Sequence, residues 1–391
     1  MSDPHALSRR TLLGSGLAGL GLTLFPAATR AATQGRKLVV IVLRGGLDGL
    51  SMLVPYGDSQ YAALRGDIAV PAPGQDNGSL KLDTIFGLHP ELGKLHSLAL
   101  VGQARFAPAV ALPEAIRSHF DAQDLLETGG PRLYGQSDGW MNRLAAVLGQ
   151  PDRTALNVGA QMNTILRGPA PVGSYNVAGN AEASERLISL LMDVYAYDTK
   201  LSGLFSQAVA ADSFYDTALE GETPARRNQP SDLGRLCATL MVKDGGPDIA
   251  ALSLDGFDTH ANQPGVLPNR LKALNDVLTG LQDGFGPTWS KTLIVAATEF
   301  GRTVRVNGTR GTDHGTASCA FIAGGAVKSG GLIGDWPGLG QLFENRDLRP
   351  SLDVRSLFKG ALRDHLGLEA RALAQVFPDS NAAPAVEGLT L

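Results

Sequence analysis

The chain is poor in cysteine, in charge and in long apolar runs, and each shortage removes a class of function. Its 391 residues include two cysteines, Cys237 and Cys319, far apart and outside any C-x-x-C spacing. That gives no basis for a structural zinc knuckle or a disulfide scaffold. Cys319 opens the apolar run CAFIAGG, so two buried free thiols are expected, with a bridge between them as the alternative that an exported compartment permits. Charged residues make up 18% of the chain and the formal net charge is -4, with no long run of either sign. The electrostatic footprint of a nucleic-acid-binding protein is missing. There is no internal repeat and no sustained heptad pattern, which excludes solenoids and coiled coils. The longest early apolar stretch is too short and too Gly-rich for a stable membrane span.

What is present suits one large α/β domain. Hydrophobic residues at 43% support a sizeable core, and 48 glycines point to many tight loops. The N-terminal stretch SRRTLLGSGLAGLGLTLFPAATRAA has paired arginines, Arg9 and Arg10, then a moderate apolar run and small residues that fit cleavage after Ala31. Residues 1–31 read as a twin-arginine export signal, with an uncleaved anchor as the alternative. The mature protein, 32–391, is then periplasmic or secreted, with no stable membrane span. That route carries folded proteins, so a metal can be loaded before export.

KLVVIVL (37–43) is a continuous β-branched apolar run, the mark of a buried central strand. Further strands are expected at LHSLALVGQA (95–104), DIAALSL (248–254), KTLIVAA (291–297) and ASCAFIAGG (317–325). Helices are expected from near Ser118, in NRLKALNDVLTGLQDGF, and in SLDVRSLFKGALRDHLGL with Asp353 near its N-cap. Residues 130–245 read as a largely helical and loop insertion. Strands alternating with helices imply a mostly parallel sheet covered on both faces, with ligands beyond the carboxyl ends of its strands.

The loops at those ends carry the chemistry. Asp48 follows the first strand, Asp258 and His260 the third, and Glu299 the fourth, while Asp313 and His314 precede the fifth in GTRGTDHGTAS. Carboxylate oxygens and neutral imidazoles suit Zn, Mn or Mg, so a divalent metal ion is the expected cofactor. The alternative for each residue is a solvated loop acid or a turn cap. Arg44 and Arg302 can either clamp an oxyanion bidentately or pair with the nearby acids. Gly311 and Gly315 let the backbone fold tightly around His314.

LRGGLDGLSMLVP, SHFDAQD, DGW, GFDTHANQ, TEFGRT, GTDHGTAS, IGDWPGL and SLDVRSLF, in this order, resemble the DUF1501 family of exported bacterial proteins. The resemblance covers nearly the whole mature chain. It implies the alkaline phosphatase-like and sulfatase-like fold, a metal-supporting α/β core without a settled reaction. By the superfamily pattern, Asp258, His260 and His314 would hold one ion, and Asp48 and Glu299 another, with Asp313 assisting His314. Phe300 stands where the superfamily often has a second ligand, a departure that puts the second ion in question. Ser118 takes the place of the nucleophile at a helix N-terminus, its alternative being an N-cap. His119 beside it would bind metal or phosphate, or satisfy a local hydrogen bond. Neither cysteine sits in a C-x-P-x-R signature, which argues against a formylglycine sulfatase. The resemblance thus implies an exported, metal-dependent hydrolase of phosphate or sulfate esters, with an isomerase or phosphotransferase of the same superfamily as a weaker option. Set against it is a non-catalytic envelope protein that binds a protein or polysaccharide. An exported DUF1800-type protein is the partner the resemblance suggests.

Overall fold

A computed structural model describes residues 35–149, 155–159, 161–176, 185–221 and 229–391; the expected export signal, residues 1–31, lies outside them. The strands are β1 Lys37–Leu43, β2 Leu53–Val54, β3 Leu80–Lys81, β4 Gly87–Leu88, β5 Ala104–Ala111, β6 Ala155–Val158, β7 Gly173–Tyr175, β8 Ile249–Leu254, β9 Thr292–Ala297, β10 Ser318–Ala323 and β11 Leu352–Asp353. Among the described residues, eight of them form the main sheet in the order β11-β5-β10-β9-β1-β8-β6-β7, and β2, β4 and β3 form a small second sheet. In the main sheet β10 is antiparallel to both neighbours, and every other pairing is parallel. The fold is therefore the expected mixed α/β architecture with a mainly parallel sheet.

All seven residues of β1 are buried, because helices cover both faces. Val39, Ile41 and Leu43 join a core that includes Leu240 and Met241 of the helix Pro230–Val242 and Leu274, Val277 and Leu281 of the helix Gln263–Phe285. Leu38, Val40 and Val42 face the opposite core, with Trp140 of the helix Trp140–Leu148 and Leu357, Phe358 and Ala361 of the helix Val354–Leu366. Period-2 alternation thus sends successive side chains of one strand to two separate cores. Asp353 caps the helix Val354–Leu366 by accepting the backbone N–H of Arg355. The stretch 130–245 contributes β6 and β7 to one side of the main sheet as well as helices.

One expected strand is corrected. Residues 93–100 form a helix, and the strand begins at Ala104. Leu92, Leu95 and Leu98 are buried while Leu100 and Val101 are exposed. That spacing of three is helical, and the short apolar run hid it. Both cysteines are free and buried, and burial pushes each thiol up to about 12. No helix among the described residues is long and apolar enough to cross a membrane.

Candidate metal centre

The sheet topology explains why distant loops meet. β1, β5, β8 and β9 all end at the same edge of the sheet. Because β10 runs antiparallel, the loop before it starts at that edge too, which brings Asp313 and His314 to the exits of β8 and β9. The β5 exit leads into the helix His119–Thr128 and delivers His119. Two glycines permit the close approach. Gly45 has φ +115°, and a Cβ there would stand 2.5 Å from the backbone N of Asp258. A Cβ on Gly311 would stand 2.1 Å from the carbonyl O of His260.

Single ligand atoms of His119, Asp258 and His314 all lie within 4.8 Å of one another. Each imidazole near Asp258 is oriented from behind. Glu299 Oε1 accepts from His119 Nδ1 at 2.9 Å, the carbonyl of Arg117 accepts from His314 Nδ1 at 2.7 Å, and Asp313 Oδ1 accepts from His260 Nδ1 at 3.2 Å. A proton on each Nδ1 leaves the lone pair on each Nε2. Those Nε2 atoms face Asp258: His119 lies 3.4 Å from Oδ2, and His260 and His314 lie 3.0 and 3.2 Å from Oδ1. The Nε2 atoms of His260 and His314 are 2.9 Å apart, a contact between two lone pairs unless a proton or a cation lies between them. His119 Nε2 is buried and has no hydrogen-bond partner. Converging imidazole nitrogens on a carboxylate, one of them orphaned, fit a divalent cation.

The electrostatics follow the same contacts. The hydrogen bond to Glu299 raises the His119 pKa against the opposing effect of burial. Burial lowers that of His314. Burial alone would raise the carboxyl of Glu299, but bonds from His119, Gln123 and the Gly45 N–H outweigh it and hold it low. Asp258 is likewise held low against burial, chiefly by Arg302. Phe300 is not idle: its ring lies 4.8 Å from the rings of both His119 and His314 and walls them in.

The sequence-derived candidates divide into groups. His119, Asp258, His260, Asp313, His314, Glu299 and Arg302 come together at this edge. Asp48 does not join the imidazoles: it is buried against Arg65, Ser51 and Gln263. Glu299 supports His119 rather than sharing a site with Asp48. Both arginines take the pairing alternative. Arg302 donates to Asp258 Oδ1 at 2.8 Å, and Arg44 contacts the buried Glu127 at 2.6 Å. Ser118 occupies the N-cap position of the helix His119–Thr128 but makes no side-chain cap bond.

Gln123, Glu127, Arg65 and Gln263 were not singled out from sequence. The first two had a signal: His119, Gln123 and Glu127 follow at i, i+4 and i+8 on one helical stripe. Arg65 and Gln263 had none, because their partner Asp48 is distant in sequence.

The profile of a family of proteins of unknown function, DUF1501, matches residues 35–377. The chain belongs to the DUF1501 family. No curated protein matches this DUF1501 chain. Among solved structures it is similar to the C-terminal periplasmic domain of EcEptC from Escherichia coli in complex with zinc, at 11% identity and a TM-score of 0.40, covering 85% of this chain and 83% of that one. A protein of the alkaline phosphatase superfamily from Vibrio parahaemolyticus matches at 10% identity and TM-score 0.39, over 86% and 67% of the two chains. Alkaline phosphatase from the Antarctic bacterium TAB5 matches at 12% and 0.35, over 74% and 91%.

Proposed function

We propose that this DUF1501 chain is an exported, metal-dependent hydrolase of phosphate or sulfate esters. The observation that carries the reading is the set of imidazoles anchored at Nδ1 with Nε2 turned to Asp258. His119, Asp258 and His314 would hold the ion, with His260 adjoining. A nitrogen-rich donor set favours zinc over manganese or magnesium. When bound, the ion supplies Lewis acidity that polarises an ester oxygen.

The chain's own groups do the rest. The first-turn N–H groups of the helix His119–Thr128 have no intrahelical acceptor, and the helix dipole favours an anionic ester there. Ser118, exposed and free of a cap bond, stands at that terminus. Its Oγ is the proposed nucleophile, with water as the alternative. Glu299 and the Arg117 carbonyl hold the imidazoles in the required tautomer, and Phe300 keeps water from their faces. Export by the twin-arginine route places the activity in the periplasm or outside the cell, where a DUF1800-type protein is the proposed partner.

Ser118→Ala tests the reading. Turnover of an aryl phosphate and aryl sulfate panel is expected to fall at least about 100-fold, with metal content unchanged. Unchanged turnover would assign the attack to water. A metal-loaded wild type that hydrolyses none of the panel would favour the non-catalytic envelope protein that binds a protein or polysaccharide.

A further inference from the structure

A cavity of about 740 Å³ opens beside the imidazole cluster, and His119 and Asp258 form part of its wall. Its polar lining falls into two halves. In one, every group is committed: Arg44 donates to Ser253, Gln123 and Asn163 and pairs with Glu127, and Gln123 passes its own amide hydrogen to Glu299. That half is a finished network around a neutralised cation.

The other half is not finished. Gln161, Thr164, Arg167 and Asp255 line the same cavity. Among the described residues none of these four side chains has a hydrogen-bond or ion-pair partner, although Arg167 and Asp255 carry opposite charges. The backbone under Arg167 is fixed, its N–H bonded to the Thr164 carbonyl at 3.0 Å and its own carbonyl accepting from Gly139 N–H at 2.7 Å. Met162, 41% exposed, adds an apolar surface to the same lining. An exposed guanidinium on a fixed backbone, an amide, a hydroxyl and a carboxylate, all lacking partners and sharing one cavity with Met162, form a lining suited to a hydroxylated ligand with an anionic group. The carboxylate and amide take hydroxyl groups, and the guanidinium takes the anion.

We propose that this cavity binds the organic part of the ester, a sugar-type polyol carrying a second anionic substituent that Arg167 grips. This rests on the ester-hydrolase reading for the first anion, and the test separates the two. The probes are glucose 1-phosphate and glucose 1,6-bisphosphate, titrated calorimetrically into the metal-loaded full chain carrying Ser118→Ala, with released phosphate assayed after each titration so that any turnover is seen. The bisphosphate is expected to bind about 10–100-fold tighter, the range of one charge-assisted contact. Adding Arg167→Gln is expected to erase that advantage and leave the monophosphate affinity unchanged, while Arg167→Lys restores part of it. Among the described residues the exposed Arg167 side chain has no hydrogen-bond or ion-pair partner, so the substitution is expected to leave folding intact. Equal binding of the two probes by the parent, or an advantage that survives Arg167→Gln, overturns the proposal. Chelation reads the other claim: monophosphate affinity that is unchanged by EDTA counts against the metal-centred reading, and the Arg167 comparison still decides the cavity.

Discussion

Arg65→Met lowers the stability of the folded chain by about 3–5 kcal/mol, since it leaves a buried carboxylate without its counter-charge. Asp48 and Arg65 are both buried, at 1% and 0% exposure, and they pair directly. Arg65 also donates to the carbonyls of Thr303 and Val304 at 3.2 and 3.0 Å and to Ser51 Oγ at 3.0 Å. It therefore ties the β1 exit to the segment that follows Arg302. Ser51 and Gln263 remain on Asp48 after the substitution, but neither carries charge. Replacing both members, Arg65→Met with Asp48→Leu, recovers part of the loss, because a whole buried pair is cheaper to exchange than half of one. Urea unfolding monitored by circular dichroism measures both variants. A change below about 1 kcal/mol for the single variant would show that the pair is not held in the dry interior described above.

Glu299→Gln is expected to weaken metal binding by about 10–100-fold while the fold persists. The carboxylate receives Gly45 N–H, Gln123 and His119 on one oxygen and Thr298 on the other. An amide of equal size keeps the packing, and the Thr298 hydroxyl can turn to meet it. What it loses is the negative charge that holds the proton on His119 Nδ1 and leaves Nε2 basic. Competition with a fluorescent chelator reads the affinity. Equal affinity in wild type and variant would mean that Glu299 does not act through His119.

Much of this arrangement was legible in the sequence, for reasons that particular residues make plain. KLVVIVL reads as a strand covered on both faces, and Asp353 before VRSLF could be seen as a cap. The strand exits named Asp258, Glu299 and His314, since chemistry at such edges follows from the direction of the chain. The pairing of ligands was not legible. Spacing placed Asp48 beside the other exit acids, whereas a long-range partner, Arg65, takes it elsewhere. Asp313 looked like an aid to its neighbour His314, yet it backs His260 from across the loop. The antiparallel β10 was equally hidden, because strand direction is a property of pairing and not of composition. Phe300 read as a missing ligand, and in space it is the wall that holds two imidazoles in place.

One divalent cation is proposed to sit among His119, Asp258 and His314, with His260 adjoining. The most direct test is metal content by plasma mass spectrometry on natively folded and exported protein, for wild type and for Asp258→Ala with His314→Ala. About one divalent ion per chain is expected in the wild type, lost in the double variant while circular dichroism shows the fold retained. A wild-type chain that is folded and free of divalent metal, or a double variant that keeps its ion, would contradict it.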